Sequence, residues 1–489
     1  QRGILQKRKT NAKLKKTKNK RLSWWVKLLA VVLTVVIIFL CFSYGMIRYF
    51  VGDTLGFKGI LSMASYGGFD LPESFRNFVL DVDRSYPGLP QLLINNEGQP
   101  VKTPEEYDAR RAEMLDLYET CMYGVTPTEG FDTVFTLMES GTLLDGKIRR
   151  QQVKITVSNE NGSSDAMLLI YTPAEAENYG MFIGLNFSGN TAVWNDDAIL
   201  PSVTQGEIGE RGSESSSWPI ELLIDSGFGL ATMYYGDWAE DNQETYRNQV
   251  LKLFPEETCT AFSAWAFGIM RGIDYLETIE QVDTDAIGTA GHSRLARVSL
   301  WAGACDPRID LVTASCGGGL LRSPLFAKID TDGTANHWFA PDYYSFEGRD
   351  EELPVDIHML YALIADRNLY ISIGQQDLAS DPKATWDALQ EAKVVWSDIY
   401  NRDVIPNCTY EEVITKLYKD LCNIKNISGK LNITRQRQYI HKSSKIEVTI
   451  REWREYDLEY WNSYGISAEW LKFGRIYPIS QIFFINNKL

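Results

Sequence analysis

The segment Ala286-Ile287-Gly288-Thr289-Ala290-Gly291-His292-Ser293-Arg294-Leu295 decides how this chain folds. An apolar run, Ala286 to Ala290, predicts a strand, and the pattern from Arg294 to Ala304 predicts a helix. A sharp turn between two such elements holds a serine hydroxyl clear of a sheet and places backbone N–H groups beside it. The match to Gly-x-Ser-x-Gly is partial, because Leu295 replaces the second glycine. The segment indicates serine ester chemistry at Ser293, and the alternative is an ordinary turn serine.

The rest of the chain predicts an α/β fold. Residues 131–172 alternate as β-strands around an Asn161-Gly162 turn. Buried strands and helices then alternate, which is typical of a mostly parallel, doubly wound sheet flanked by helices. The predicted strands are Met181 to Asn186, Gly229 to Tyr235, Ala286 to Ala290, Leu311 to Ala314 and Leu369 to Gly374, and the predicted helices are Pro104 to Tyr123, Ala261 to Thr278, Arg294 to Ala304, Val355 to Ala365 and Lys383 to Asp398.

The N-terminal part differs from the rest in charge and hydropathy. Ten of the first 21 residues are Lys or Arg and none is acidic, and an apolar stretch follows from Leu28 to about Tyr49. That stretch is long enough to cross a hydrocarbon layer of about 30 Å. We expect a basic cytoplasmic tail (1–23), a transmembrane anchor (24–50) and a stalk (51–103), with the remaining chain outside the cytoplasm. A cleaved secretory signal is the alternative.

The globular part is expected to span residues 104–460, followed by a C-terminal tail, 461–489, that shows no clear pattern. Removing the ten N-terminal positive charges from the formal net charge of −15 leaves −25 for residues 22–489. Nucleic acid is therefore not expected as a partner of the globular part. The seven cysteines show no Cys-x-x-Cys spacing, so no structural zinc is expected. No metal or organic cofactor is implied, and the sequence leaves the oligomeric state open.

A serine nucleophile requires an acid and a base. In α/β-hydrolases these residues follow in the order serine, acid, histidine. Asp377 stands directly after the predicted strand Leu369 to Gly374, where loops at the carboxyl edge of a parallel sheet collect functional groups. We predict Asp377 as the acid, and an ordinary turn aspartate is the alternative.

Several further segments match one family together and in its order. They are Leu185-Asn186-Phe187-Ser188-Gly189-Asn190, Tyr234-Tyr235-Gly236-Asp237, Ala264-Trp265-Ala266-Phe267-Gly268, Gly291-His292-Ser293-Arg294-Leu295-Ala296-Arg297, Trp301-Ala302-Gly303-Ala304, His337-Trp338-Phe339 and Leu353-Pro354-Val355-Asp356-Ile357-His358-Met359-Leu360. The chain resembles the glucuronoyl esterases of carbohydrate esterase family fifteen. The resemblance implies an α/β-hydrolase that cleaves the ester between 4-O-methylglucuronate of xylan and an alcohol of lignin, in plant cell wall degradation.

The resemblance also implies roles for individual residues. Ser293 matches the nucleophile, and Arg294 matches an arginine that helps to hold the oxyanion. Arg297 stands where the family usually has a lysine that contacts the sugar, and Trp338 matches an aromatic residue of the sugar site. A core tryptophan is the alternative for Trp338.

The chain departs from the family at the catalytic base. The family's histidine lies in a Lys-His-Asp-Val-Thr-like segment, and the counterpart here is Lys445-Ile446-Glu447-Val448-Thr449. The aliphatic Ile446 cannot accept a proton. His441, five residues upstream, is the candidate replacement. The loop Ala314 to Gly319, where many relatives carry the acid, has no carboxylate, which favours Asp377.

Three hypotheses follow. The first is a membrane-anchored, outward-facing glucuronoyl esterase with Ser293, Asp377 and His441 as catalytic residues. The second is a catalytically impaired relative that binds glucuronoyl polysaccharide through the same pocket. The third is an esterase or deacetylase of other specificity, because a shared fold alone does not fix the substrate.

Overall fold

The computed structural model describes residues 85–204, 208–255, 258–323, 336–374, 377 and 380–402, together with the backbone of 444–450 and 479–486. The chain divides into two compact units, residues 1–427 and 428–489. The predicted tail and anchor, most of the predicted stalk, and His441 lie outside the described residues.

An eight-stranded sheet forms the centre of the first unit, in the order β1-β2-β3-β5-β4-β6-β7-β8. The strands are β1 Asp132–Leu143, β2 Ile148–Asn159, β3 Gly162–Pro173, β4 Tyr179–Asn186, β5 Phe228–Tyr234, β6 Val282–His292, β7 Leu311–Ser315 and β8 Asn368–Ser372. Every strand predicted from the apolar runs is present, and most run one to four residues longer at an end than expected.

The sheet is mixed, which corrects the expectation of a mostly parallel one. Strands β5, β4, β6, β7 and β8 are parallel neighbours, whereas β1, β2, β3 and β5 pair antiparallel. The connection between β2 and β3 is only Glu160 and Asn161, with Asn159 paired to Gly162. Such a short connection permits only an antiparallel pair, as the predicted hairpin required.

Helices pack around this sheet. They are α1 Pro104–Tyr118, α2 Asn190–Val193, α3 Ile220–Asp225, α4 Ala261–Leu276, α5 Arg294–Cys305, α6 Pro341–Tyr344, α7 Ile357–Ala362 and α8 Pro382–Val394. The predicted helix Pro104 to Tyr123 is α1 continued by a π-helical turn, Glu119–Tyr123. Thr103 and Glu106 form a reciprocal capping box, which explains why α1 begins where it does.

Both faces of the sheet are covered. Leu168 and Ile170 of β3 belong to the large core that also contains α4 and α5, whereas Leu169 and Tyr171 belong to a smaller cluster that includes Ile220 of α3. Successive residues of a strand point to opposite faces, so the two clusters lie on opposite sides. The carboxyl ends of the parallel strands β6, β7 and β8 lie together at one edge of the sheet.

Part of the segment that was expected to be a stalk belongs to the globular unit. Leu92 and Val101 are buried in the large core, and Ile94 forms a bridge with Pro100. The Arg110 side chain of α1 donates to the carbonyl oxygens of Gln91 and Leu92. The packed unit therefore begins before Pro104. Among the residues that the structure describes, no helix is both long and apolar enough to span a membrane.

The second unit contains one described antiparallel pair of strands. Strand β9, Ser444–Ile450, pairs with β10, Ile479–Asn486, and Ile446 stands opposite Phe484. The region 461–489, which showed no sequence pattern, thus includes a strand.

Candidate active site

Ser293 occupies the turn between β6 and α5, as the sequence predicts. Its backbone lies at φ 56° and ψ −129°, a conformation that non-glycine residues rarely adopt. The Ser293 N–H donates to the carbonyl oxygen of Ser315 at the end of β7, at 2.9 Å. The residue is partly exposed at the carboxyl edge of the sheet, and its side chain makes no capping bond to α5. The hydroxyl is therefore held outside the sheet at the start of a helix, where N–H groups stabilise negative charge.

The sequence around Ser293 explains why the turn can be this tight. A Cβ atom on Gly291 would lie 2.1 Å from the carbonyl oxygen of Leu295 and 2.6 Å from Ser299 Oγ. Only glycine fits there without displacing the backbone of α5. Leu295, which replaces the usual second glycine, is 1% exposed and belongs to the large core. The position tolerates a large side chain because that side chain is directed into the core.

Asp377 lies at the same edge, after β8. Its N–H donates to the carbonyl oxygen of Gly374, and its Oδ1 accepts from the N–H of Ser380 at 3.2 Å. Cys316, the first residue after β7, lies beside it. Burial raises the pKa of the Cys316 thiol, and the Asp377 carboxylate raises it further. The structure thus brings Asp377 to the strand ends that also carry Ser293, two strands away along the sheet.

Two of the three described histidines have hydrogen-bond partners other than Ser293, and the third is exposed. His337 Nε2 lies 2.9 Å from Asp241 Oδ1, and His358 Nε2 lies 2.8 Å from the carbonyl oxygen of Pro90. His292 is the exposed last residue of β6, paired with Ser315. Within the described residues, no imidazole is hydrogen-bonded to the nucleophile. His441 as the catalytic base stays a prediction.

Arg294, the first residue of α5, lies in an aromatic and acidic environment. Its guanidinium carbon is 4.9 Å from the centre of the Phe187 ring, 5.3 Å from that of Tyr235 and 5.5 Å from that of Trp338. Its Nη2 donates to the Tyr235 hydroxyl at 3.1 Å and pairs with Asp241 Oδ2 at 2.8 Å. The arginine next to the nucleophile is therefore fixed in one orientation.

Trp338 lies beside that arginine. It is partly buried, packs edge-on against Phe262 and Trp265, and donates its indole N–H to Asp241 Oδ1 at 2.6 Å. Trp338 thus packs against the core and also lies beside Arg294, and its contact with a sugar stays a prediction.

Asp241 is the residue that the sequence did not predict. It binds Arg294, His337 and Trp338 at once. Burial raises the pKa of its carboxyl, but the hydrogen bonds from His337 and Trp338 and the charge of Arg294 outweigh burial, and the pKa lies below its ordinary value. Asp241 follows Glu240 in the stretch after Tyr234-Tyr235-Gly236-Asp237, and neither acid gives a periodic signal. Only its contacts identify it.

Arg297 is in a different environment from the one expected of a sugar contact. It is 7% exposed, and its Nε donates to the carbonyl oxygen of Gly317. Its charge opposes the rise in the pKa of buried Tyr343 and Tyr361, which burial causes. Arg297 therefore acts in the interior, and the sugar contact stays a prediction. No cluster of metal-ligating side chains is found in the described part of the chain.

The strained serine at a strand-to-helix turn, on a mixed sheet covered on both faces, defines a serine hydrolase of the α/β-hydrolase type. Residues 214–399 match a sequence family described as glucuronyl esterase of fungi. A carbohydrate esterase from an unknown prokaryotic organism is 33% identical over 337 residues, which are 63% of this chain and 78% of that protein. The chain belongs to the glucuronoyl esterases, carbohydrate esterase family 15.

Solved structures agree with this assignment. A promiscuous esterase of that family from a marine bacterial metagenome is 32% identical, with a TM-score of 0.57 over 64% of this chain and 85% of the other. A glucuronoyl esterase from Solibacter usitatus is 30% identical, with a TM-score of 0.60 over 67% of this chain and 89% of the other. The 4-O-methyl-glucuronoyl methylesterase 1 of Phanerochaete chrysosporium is 25% identical over 64% of this chain and 62% of its own length.

Proposed function

We propose that the protein is a serine carboxylic ester hydrolase that cleaves glucuronate esters, such as the lignin-carbohydrate ester links of xylan. The observation that carries the proposal is the position of Ser293. The hydroxyl stands partly exposed at a strained turn, with Arg294 beside it and Trp338 within contact of that arginine. The names of the relatives supply the substrate class, and the site supplies the means to act on it.

Each step of the proposed hydrolysis depends on residues of this chain. Ser293 Oγ attacks the ester carbonyl while a base takes its proton, and the alcohol leaves with a proton as the acyl-enzyme forms. Water then hydrolyses that ester by the same route in reverse. Arg294 and the N–H groups at the start of α5 stabilise the oxyanion of both tetrahedral intermediates. Asp377 orients the base.

The sugar is held by the groups around the nucleophile. The ring face of Trp338 suits the apolar face of a pyranose. The Arg294 cation stabilises the negative charge that develops on the ester carbonyl oxygen. A uronate ester and an acetyl ester are both uncharged and form the same oxyanion, so the uronate class of substrate comes from the names of the relatives.

A second candidate function rests on Ile446. This residue stands in the middle of β9, where the family's histidine segment is expected, and it cannot accept a proton. If His441 does not replace that histidine, the protein is an impaired relative that binds glucuronoyl polysaccharide through the same pocket. Loss of the base of a serine triad costs a factor of about 10⁴ to 10⁶ in turnover.

One experiment separates the two functions. The full chain is supplied with a benzyl ester of glucuronic acid and compared with the variants Ser293→Ala, His441→Ala and Ile446→His. Turnover that Ser293→Ala and His441→Ala both abolish supports the active enzyme. Absent turnover that Ile446→His restores supports the impaired relative. Turnover that survives Ser293→Ala contradicts both. An acetylated sugar, tested in parallel, separates uronate esterase from deacetylase.

We also propose that residues 24–50 anchor the protein in a membrane with the catalytic unit outside the cytoplasm. The support is the sequence: ten basic residues within positions 1–21 precede a long apolar stretch. Alkaline carbonate extraction of membranes, with Val35→Lys and Val36→Lys together as the variant, tests the anchor. Release of the unaltered chain into the supernatant would contradict it.

A further inference from the structure

Asp241 joins two parts of the site that lie far apart along the chain. Its Oδ2 pairs with Arg294 Nη2 at 2.8 Å, and its Oδ1 accepts from Trp338 Nε1 at 2.6 Å and lies 2.9 Å from His337 Nε2. We propose that Asp241 is the positioning residue that holds Arg294 toward the oxyanion and Trp338 toward the sugar. This inference rests on the function proposed above and extends it.

Arg294 must be held in one position and must still keep an N–H group that can donate to the oxyanion. A partner that binds only part of the guanidinium meets both requirements. The guanidinium stacks against Phe187 and Tyr235, which fixes its plane, and Nη2 is occupied by Tyr235 and Asp241. Among the described residues, Nε is buried without a hydrogen-bond partner. Because Asp241 and Tyr235 occupy Nη2, the remaining N–H groups of the guanidinium are the ones left to meet the developing oxyanion. Without Asp241 the long side chain regains rotamers that turn those groups away.

The same carboxylate fixes the tryptophan. A partly buried indole N–H needs an acceptor, and Asp241 is that acceptor for Trp338. His337, 4% exposed and adjacent in sequence, approaches the same oxygen from its own side. Because the Asp241 carboxylate can only accept a hydrogen bond, His337 Nε2 carries the proton. The imidazole is thus a second group, next to Trp338 in sequence, that binds Asp241. One carboxylate thus sets the distance between the arginine and the aromatic ring.

Asp241 touches neither the scissile bond nor, by this proposal, the sugar. It acts through Arg294 and Trp338. Its removal should therefore change kcat through the arginine and KM through the tryptophan. A residue with only a structural role would instead lower the fraction of folded enzyme and leave the kcat and KM of the folded fraction unchanged.

A double-mutant cycle tests the route through Arg294. Asp241→Asn keeps the shape but places an amide N–H against the guanidinium, and we expect kcat to fall about 10- to 100-fold, as for an important group misplaced by about 1 Å. In an Arg294→Ala background the same substitution should change kcat less than threefold. Equal losses in both backgrounds would overturn the proposal. Asp274→Asn is the matched control, because Asp274 is likewise paired with cationic side chains, those of Arg271 and Arg308, away from the site.

A second measurement does not need turnover. In protein labelled with ¹⁵N-tryptophan, the indole resonance of Trp338, assigned with Trp338→Phe, should move upfield in Asp241→Asn and remain in place in Asp274→Asn. Asp241→Glu, which retains the carboxylate, should restore much of the shift and of kcat. An unmoved Trp338 resonance would overturn the proposal.

The two proposals fail in different ways. If neither the wild-type protein nor Ile446→His hydrolyses a glucuronate ester, the proposed function fails. The positioning role is then decided by binding of methyl glucuronate to Ser293→Ala, with and without Asp241→Asn. A tenfold weaker affinity together with the moved resonance supports the role, and equal affinity rejects it.

Discussion

The backbone N–H of Ser293 donates to the carbonyl oxygen of Ser315 at 2.9 Å, which ties the nucleophile to the end of the neighbouring strand. Ser293 at φ 56° and ψ −129° is thereby held in a conformation that costs about 1–3 kcal/mol for a non-glycine residue. The strain keeps the hydroxyl outside the sheet and at the start of α5. The strained conformation lowers stability at the position of the proposed nucleophile.

Replacing the nucleophile should reveal that strain. Ser293→Gly relieves the positive φ, although glycine adds conformational freedom to the unfolded chain. We expect the free energy of unfolding of Ser293→Gly to exceed that of Ser293→Ala by about 1 kcal/mol. Urea denaturation of both variants measures the difference. Equal midpoints, or a less stable glycine variant, would show that the turn is not strained.

Gly291 should be intolerant of any side chain. The added Cβ of Gly291→Ala would meet the carbonyl oxygen of Leu295 at 2.1 Å, so α5 must move. We expect a loss of about 1–3 kcal/mol in the free energy of unfolding, the range typical of overpacked cores. Gly374→Ala is the matched control, because its Cβ would make only ordinary contacts at 3.8 Å and beyond. Similar midpoints for the two variants in thermal denaturation would contradict the steric argument.

Arg294 should matter more to kcat than to KM. Arg294→Lys keeps a positive charge but loses the planar group that stacks on Phe187 and reaches Tyr235 and Asp241 together. Removal of one oxyanion donor costs about 10²- to 10³-fold in kcat, and we expect a loss of that order. Steady-state kinetics on the benzyl ester measure it. Arg349→Lys, at an exposed surface pair with Glu352, should retain wild-type kinetics.

Asp310 should make stability depend on pH. Burial, with Asp285 and Asp283 nearby, raises the pKa of this carboxyl to about 6. The folded state then binds the proton more tightly than the unfolded state, so stability is greatest below about pH 4 for this group and falls as the pH rises to about 6.

Asp310→Asn should remove that dependence. The variant should be more stable than the wild-type protein at pH 7, by about 1–2 kcal/mol after screening by solvent, and should match it near pH 4. Urea denaturation at the two pH values measures the change. The same difference at both pH values would contradict a raised pKa.

The serine turn could be predicted from sequence because its determinants are local. An apolar run, a glycine that no other residue can replace, and a helical pattern lie within about 20 residues, and each acts on the backbone beside it. The hairpin around Asn161 is a similar case, since a two-residue connection allows one pairing. Most helix and strand bounds follow for the same reason.

The antiparallel pairing of the first strands of the sheet and the start of the globular unit were harder to predict from the sequence. The expectation of a mostly parallel sheet came from the alternation after Met181 and did not weigh the three antiparallel strands that join it. The segment of residues 85–103 lacks regular structure, so its glycines and prolines suggested a stalk. Its burial depends on Arg110 and the core, which local composition does not report.

The sequence by itself determined the nucleophile turn, the strands and the family, because these depend on residues close together in the chain. Only the tertiary structure decided that Asp241 joins Arg294 to Trp338 and that Arg297 is buried. Those relationships depend on where distant segments meet when the core excludes water. The order of residues along the chain does not show directly which distant segments come into contact.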